Sequence, residues 1–439
     1  MKRYILMFLA AAASLGVMAQ DFDTTPNVNV ENNDVRFTIG ARMMSDVAYY
    51  HADYTPMRSG AAITDARIRT SMEFDQWYFY ADFDFSKGSF KQKNIFVQYA
   101  FDENQFVKAG YYNDPSSMAN NTSIGSYHFI SRPSAARALA PGRQLGVTYK
   151  YVSDNLFANQ GIFAENLYNN QAAGYQGFTL GGRWLYLPIN EKNETLHVGL
   201  SARYAKINTG VAYNGTVQTN LSITTPIETY VDPTTQFMNA QVSWASDEIN
   251  VGAEFLYRNS KLFVRGEYIY KYIGKERDDE TLFKAQLGTL WSWASLESWQ
   301  AGNPLEATKF NGGYVEAGYL LFGEPYSYNK KEALLGGMKG NSLEVVARYS
   351  YTNLNDIVDG AYYFVAQDKY IDNGILSDYP VTSTSVGGGA LHAATIGLNY
   401  SFNNHVHMLV DYTYSHFSRD KFAMDKNFHA LQGRLVFSF

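Results

Sequence analysis

The last eleven residues, HALQGRLVFSF from His429 to Phe439, constrain the fold most. Leu431, Gly433, Leu435, Phe437 and Phe439 fall on one side of a strand, and Ala430, Gln432, Arg434, Val436 and Ser438 on the other. A period of two is the signature of a β-strand. In a soluble domain, an apolar strand ending on an aromatic residue leaves an adhesive edge. In a closed membrane barrel the same strand has every group satisfied: its apolar face meets lipid, its polar face meets the lumen, and its edge pairs with the first strand.

The amino terminus predicts export. Lys2 and Arg3 precede an apolar run from Tyr4 to Val17, and Val17-Met18-Ala19 supplies small residues for cleavage, leaving Gln20 as the mature terminus. This reads as a signal peptide over 1–19, followed by a short periplasmic segment over 20–34 and a barrel over 35–439. The chain has no cysteine, so it has neither a lipidated Cys nor a disulfide framework. No later stretch is apolar enough for a transmembrane helix. Aromatic side chains make up 16% of the residues, chiefly Tyr and Phe, while the mean hydropathy is −0.29. A barrel with aromatic girdles and a wet lumen accommodates both values. The net charge of −6 gives no basis for nucleic-acid binding.

Alternation marks seventeen candidate strands, from Val35–Tyr49 to the terminal run. Bacterial single-chain barrels have an even number, with short periplasmic turns alternating with longer outer loops. Keeping Gln236–Ala245 as a barrel strand would put a long segment on the short-turn side, so it is assigned to an outer loop and sixteen antiparallel strands remain. Glu324–Asn341 is then unusually long for a periplasmic turn. Asp278–Gln300, with Trp291, Trp293 and Trp299, falls in a long outer loop that could carry a short helix.

This register makes Asn113–Arg143 the third outer connection. After Asp114 it carries no acid, but it holds Ser131, Arg132, Ser134, Arg137 and Arg143. In many sixteen-stranded porins the third loop folds inward to narrow the channel, so this segment is expected to do the same by fold analogy. Guanidinium groups with hydroxyls and no carboxylate favour anions. Arg132, Arg137 and Arg143 are the expected anion contacts, Ser131 and Ser134 the hydroxyl donors, and Arg67, Arg69, Arg183 and Arg203 the pore-lining approach. The wall as a whole is mixed: acids such as Asp46, Asp65, Asp82, Glu254, Glu316 and Glu344 share the lumen parity with the arginines. Such rows hold water and set up a transverse field without selecting an ion by themselves.

Several stretches resemble the phosphate-selective porin O and P family: GEPYSYN at Gly323–Asn329, SLEVVARYSYTNLN at Ser342–Asn355, IGLNYSFNNHVHMLVDYTY at Ile396–Tyr414 and the terminal ALQGRLVFSF. Weaker echoes are DARIR at Asp65–Arg69, SRPS in the third connection and GEY at Gly266–Tyr268. The resemblance implies a homotrimeric outer-membrane porin with a basic ladder and a phosphate-binding constriction. One departure stands out. Where the family typically places a pair of arginines, a small residue and another arginine, this chain reads Thr64-Asp65-Ala66-Arg67. Other small anions or hydrophilic solutes, a general non-selective porin, and a surface adhesin or binding barrel therefore stay open. No enzymatic signature or cofactor motif is present; His405, His407 and Asp411 share a face, but polar residues are expected there in any barrel. The chain is too short for a plug domain ahead of a 22-stranded receptor barrel.

Overall fold

A computed structural model describes residues 28–32, 35–52, 57–165 except 87 and 89, 177–207, 221–275 except 236 and 243, 306–356, 385–418 and 427–439, with 280, 283–284, 295–297, 300 and 363–364 between them. The signal segment 1–19 lies outside these residues, as do most of 20–34 and the tryptophans of the Asp278–Gln300 connection.

Sixteen of the eighteen strands in the main sheet close into an antiparallel barrel; Val28–Asn32 and Tyr363–Phe364 are short additions to it. The barrel strands are β1 (Val35–Ala52), β2 (Gly60–Phe74), β3 (Trp77–Asp84), β4 (Lys91–Ala100), β5 (Gln105–Asn113), β6 (Arg143–Val152), β7 (Leu156–Ala164) and β8 (Phe178–Asn190). They continue as β9 (Thr195–Lys206), β10 (Ala245–Arg258), β11 (Leu262–Lys275), β12 (Thr308–Phe322), β13 (Ser342–Asp356), β14 (Ser385–Ser401), β15 (Val406–Ser418) and β16 (Asn427–Ser438). Each pairs with its neighbour in the ring, and β16 closes on β1 from Arg42↔Ser438 to Ala52↔Phe428. Phe439 completes the seam through backbone bonds with Ala41 at 2.8 and 2.9 Å.

The barrel is inside-out relative to a soluble protein. Val47 is 56% exposed and Leu435 49%, whereas Arg42 is 3% and Arg434 2% exposed. Period-two alternation puts the first pair on the outer face and the second on the lumen face. Short turns are held by side chains that imitate backbone: Asp102, Asn259 and Asn403 each accept from two backbone N–H groups two and three residues on. Asp75 takes φ 53° in the turn joining β2 to β3, a conformation that Asp tolerates better than most residues.

Gln236–Ala245 supplies no barrel strand of its own, as expected: Met238–Val242 pairs with Leu221–Thr225 in a separate two-stranded sheet within the β9–β10 connection, and Ala245 already opens β10.

Candidate functional site

The Asn113–Arg143 connection is held against the inner wall. It carries two short helices, α1 (Met118–Asn121) and α2 (Ser134–Leu139). Ser117 caps α1 and its hydroxyl also donates to Glu267 of β11. Tyr127 donates to Glu316 of β12 at 2.8 Å, His128 Nδ1 lies 2.8 Å from a Glu344 carboxyl oxygen of β13, and the Ile130 N–H donates to Asp411 of β15 at 2.7 Å. Arg348 of β13 donates to the Ser131 carbonyl at 2.7 Å. Close approach of α2 depends on Gly312 in β12, where a Cβ would lie 2.7 Å from the Tyr351 carbonyl and 3.0 Å from the Ala135 Cβ.

A second segment, Thr225–Asp232 of the β9–β10 connection, fastens the first one. Glu228 accepts from the Ser134 N–H at 2.8 Å and from Arg348 and Ser350, while its carbonyl accepts from Gln432 at 3.0 Å. Glu324–Asn341, whose length no turn requires, forms a third. It contains a small hairpin, Tyr328–Asn329 against Leu334–Leu335. Arg258 donates to the Tyr326 carbonyl at 3.0 Å, Arg183 to the Glu332 and Ala333 carbonyls at 3.1 and 2.9 Å, and His128 Nε2 to the Gly336 carbonyl at 3.1 Å. The segment is long because it supplies acceptors to buried wall cations from the short-turn end.

A cavity of about 440 Å³ lies between the third connection and the wall of β1–β5. The wall contributes Arg42, Arg67 and Arg69, then Tyr80, Asp82, Lys93, Asn94 and Asn113; the connection contributes Asn120, Asn121, Thr122, Ser123, Arg132, Arg137 and Arg143; the second segment contributes Tyr230. Seven cationic side chains thus face one carboxylate, Asp82.

The partners of those cations decide how much charge is left. Arg42 Nε and Arg67 Nε share Asp65 at 2.8 and 2.6 Å, and Arg67 also reaches Asp82 at 2.9 Å. Lys93 lies 3.0 Å from Asp84. Arg132, by contrast, donates to the Ala119 and Thr122 carbonyls at 2.8 and 2.7 Å, Arg137 to the Thr229 carbonyl at 2.9 Å, and Arg143 to the Asn94 side-chain oxygen at 2.7 Å. These acceptors are neutral, so the guanidiniums are oriented without being neutralised. Tyr230 registers the resulting field. Burial alone would raise its pKa, yet Arg132, Arg137 and Arg434 hold it below the usual tyrosine value. Its ring also lies 5.0 Å from the Arg137 guanidinium.

Of the residues expected at the site, Arg67, Arg69, Arg132, Arg137 and Arg143 line this one cavity. Ser131 and Ser134 do not. The Ser131 hydroxyl supports Arg137 at 3.3 Å, and that of Ser134 meets Thr352 at 2.8 Å. Arg183 forms a fork with Glu254 at 2.8 and 2.7 Å, and Arg203 pairs with Glu248 and Asp114, so both stand in the zipped part of the wall. The acid of the third connection, Asp114, thereby points away from the cavity. Sequence reasoning missed Tyr230, Lys93, Asn94 and Asn113. Tyr230 carried no signal, because it comes from another connection; Asn94 and Asn113 sat at strand ends next to Arg143. His405, His407 and Asp411 do not converge: His405 Nδ1 donates to the Ser438 carbonyl at 2.9 Å, and Asp411 accepts from Ile130. Among the described residues no group of three His, Cys, Asp or Glu is arranged to hold a metal.

A model of the family described as phosphate-selective porin O and P matches residues 37–439. An uncharacterized protein of Caulobacter vibrioides is 25% identical over 296 residues, which are 63% of this chain and 52% of that protein, so the chain spans about half the length of this curated relative. Among solved structures, the anion-selective porin from Comamonas acidovorans aligns over 92% of this chain and 100% of its own at 11% identity and TM-score 0.53. The outer membrane channel DcaP of Acinetobacter baumannii aligns over 93% and 99% at 11% identity and TM-score 0.51. The trimer form of OmpT, an outer membrane protein of Vibrio cholerae, aligns over 92% and 99% at 9% identity and TM-score 0.51. At these identities the structural likeness concerns the fold alone.

Proposed function

Because the chain belongs to the phosphate-selective porin O and P family and is an outer-membrane porin, we propose that it passes small anions, phosphate among them, by passive diffusion through the basic cavity. In this reading the Asn113–Arg143 connection is the constriction, Arg132, Arg137 and Arg143 make the anion contacts, and Arg67 and Arg69 form the approach. One observation carries the reading: these three arginines of the connection are positioned by carbonyl and amide oxygens, which leaves their charge available to a solute. Ser131 supports Arg137 from behind, and Asn120, Asn121, Thr122 and Ser123 line the cavity beside the arginines.

A second reading, a general porin with little selectivity, is favoured by Asp65. It stands within the stretch where the family typically carries arginines, and it engages both Arg42 and Arg67. We further propose export by a signal peptide over 1–19, a short periplasmic segment over 20–34, and assembly as a homotrimer. The trimer is the form in which the OmpT neighbour was solved.

Single-channel recording in planar bilayers tests the reading, with the reversal potential taken under a potassium chloride gradient and phosphate then added. Anion selectivity with phosphate block that weakens in an Arg132→Ala, Arg137→Ala variant supports it. Weak or cationic selectivity without block leaves the general porin. A closed, non-conducting barrel points to an adhesin or binding role.

A further inference from the structure

The outer face carries a feature that permeation does not use. Of the eight histidines, His51, His392, His416 and His429 occupy outward positions on β1, β14, β15 and β16, four adjacent strands of the ring. They are brought together by register: His51 pairs across from His429, and His392 from His416. The His51 and His429 rings lie 6.0 Å apart. Tyrosines from the same faces complete the row, with Tyr351 opposite His392 and its ring 4.8 Å away, and Tyr414 5.3 Å from the His429 ring.

The imidazoles are oriented. The Tyr349 hydroxyl bonds to Nδ1 of His392 and the Tyr412 hydroxyl to Nδ1 of His429, both at 2.7 Å. A phenol is the better donor and an imidazole nitrogen the better acceptor, so the hydroxyl donates and the ring keeps its proton on Nε2. Asn427 gathers two further groups, accepting from Tyr414 at 2.7 Å and from His416 Nδ1 at 3.0 Å. Below the row the outward positions are apolar, with Leu431 52% and Leu435 49% exposed on β16 and Ile396 57% and Leu398 48% exposed on β14. No outward position of β13 to β16 or β1 is Asp or Glu among the described residues.

We propose that this sector binds the phosphate-bearing head group of a membrane lipid in the leaflet at the long-connection end, with the acyl chains lying along the apolar band beneath. A phosphate ester offers only acceptors and negative charge. The Nε2–H donors of His392 and His429, with no carboxylate at an outward position of these strands among the described residues, match it, and the Tyr349 and Tyr412 hydroxyls fix their direction. An ordinary aromatic girdle needs rings with one wet edge, which Tyr and Trp supply. It does not call for histidines confined to four strands and tied to phenols. The apolar band commits the occupant to a lipid rather than a free ion.

Native mass spectrometry of the full-length mature chain in nonionic detergent tests this, using dioleoyl phosphatidic acid and dioleoylglycerol, which differ only in the phosphate. Phosphatidic acid should be retained in preference to dioleoylglycerol. A His392→Phe, His429→Phe variant, which keeps the rings and removes the nitrogens, should weaken retention about tenfold, as expected for one or two lost bonds to an ionised group. Equal retention of both lipids, or an unchanged variant, overturns the proposal. Complete displacement by millimolar inorganic phosphate would make this a free-anion site and also overturn it. Should the histidine variant fail to show heat-modifiable gel mobility, Tyr349→Phe with Tyr412→Phe decides: the orienting hydroxyls are then absent, and retention should fall by a smaller factor, whereas no change counts against the site.

Discussion

The lumen holds two sets of arginines with the same inward orientation and opposite uses. On the side from β8 to β16, Arg183 pairs with Glu254, Arg265 with Glu316, Arg348 with Glu228 and Glu316, and Arg434 with Asp46. Beside β1–β5, Arg132, Arg137 and Arg143 rest on neutral oxygens. The first set ties wall strands to one another and, through Arg348 and Arg183, to internal segments, and the second leaves positive charge facing open volume. A guanidinium whose fixed partners are uncharged therefore keeps more of its charge for a solute than one paired with a carboxylate.

The sharpest way to break this contrast is to take one partner from the zipped side. Arg265 is buried, held by Glu316 at 2.7 Å and stacked 4.8 Å from the Tyr127 ring. Arg265→Met strands Glu316 beside Arg348 and should destabilise the folded barrel by about 3–5 kcal/mol, whereas Arg265→Met with Glu316→Leu should recover much of that loss. Urea unfolding followed by tryptophan fluorescence measures both. Equal stability of the single variant would mean that water reaches the pair and the side is not closed.

On the cavity side the order of effects should invert. Arg132→Ala with Arg137→Ala removes no carboxylate's partner, so stability should fall by only about 1–2 kcal/mol from the lost bonds to carbonyls. Phosphate block, by contrast, should weaken by about tenfold or more, since each charge-assisted contact contributes roughly 1.5–3 kcal/mol. A variant that loses stability but keeps its block would place both arginines with the structural set.

Between the two lies Asp65, a carboxylate within the basic wall. Asp65→Asn keeps an oxygen for one guanidinium and releases the other from its negative partner. The expected outcome is a reversal potential shifted toward the anion value, by a factor of about two to five in permeability ratio, because one unit of charge is unmasked at partly wet distance. An unchanged ratio would mean that solutes do not pass Arg42 and Arg67.

The strand plan was legible in the sequence because lipid imposes alternation, and it was legible only where lipid does. Alternation in β11 fades after Lys271 and in β13 after Tyr351, yet the strands run to Lys275 and Asp356. The extra residues continue the ladder where the outward face no longer has to be apolar. The loop arginines of the site could be read from charge alone, since no acid follows Asp114 in the third connection. Arg183 and Arg203 could not be told from Arg67 and Arg69, because all four share the lumen parity. What separates them is place: Arg67 and Arg69 line the cavity, whereas Arg183 and Arg203 are engaged elsewhere by Glu254, the carbonyls of Glu324–Asn341, and Glu248. The place of Ser134 was not legible for a related reason: the residues that bond its N–H and hydroxyl, Glu228 and Thr352, lie more than ninety and two hundred positions away.

Tyr230 offers the smallest effect and the finest probe, because it reports the cavity field without carrying charge at neutral pH. Arg132, Arg137 and Arg434 pull its pKa below the ordinary tyrosine value of 10.0 against the opposing push of burial. As pH rises through that lowered value the phenol becomes an anion inside the cavity and cancels one unit of the positive charge. Anion selectivity should then decline, on the order of twofold, at a pH below that at which free tyrosine ionises. Tyr230→Phe should keep neutral-pH selectivity and lose this alkaline component, and any decline that persists in the variant belongs to other groups. Recording reversal potential from pH 7 to 10 on both proteins separates the two. A decline of the same size and midpoint in Tyr230→Phe would show that Tyr230 is not the group that titrates, and that Arg132, Arg137 and Arg434 do not bring its ionisation into this range.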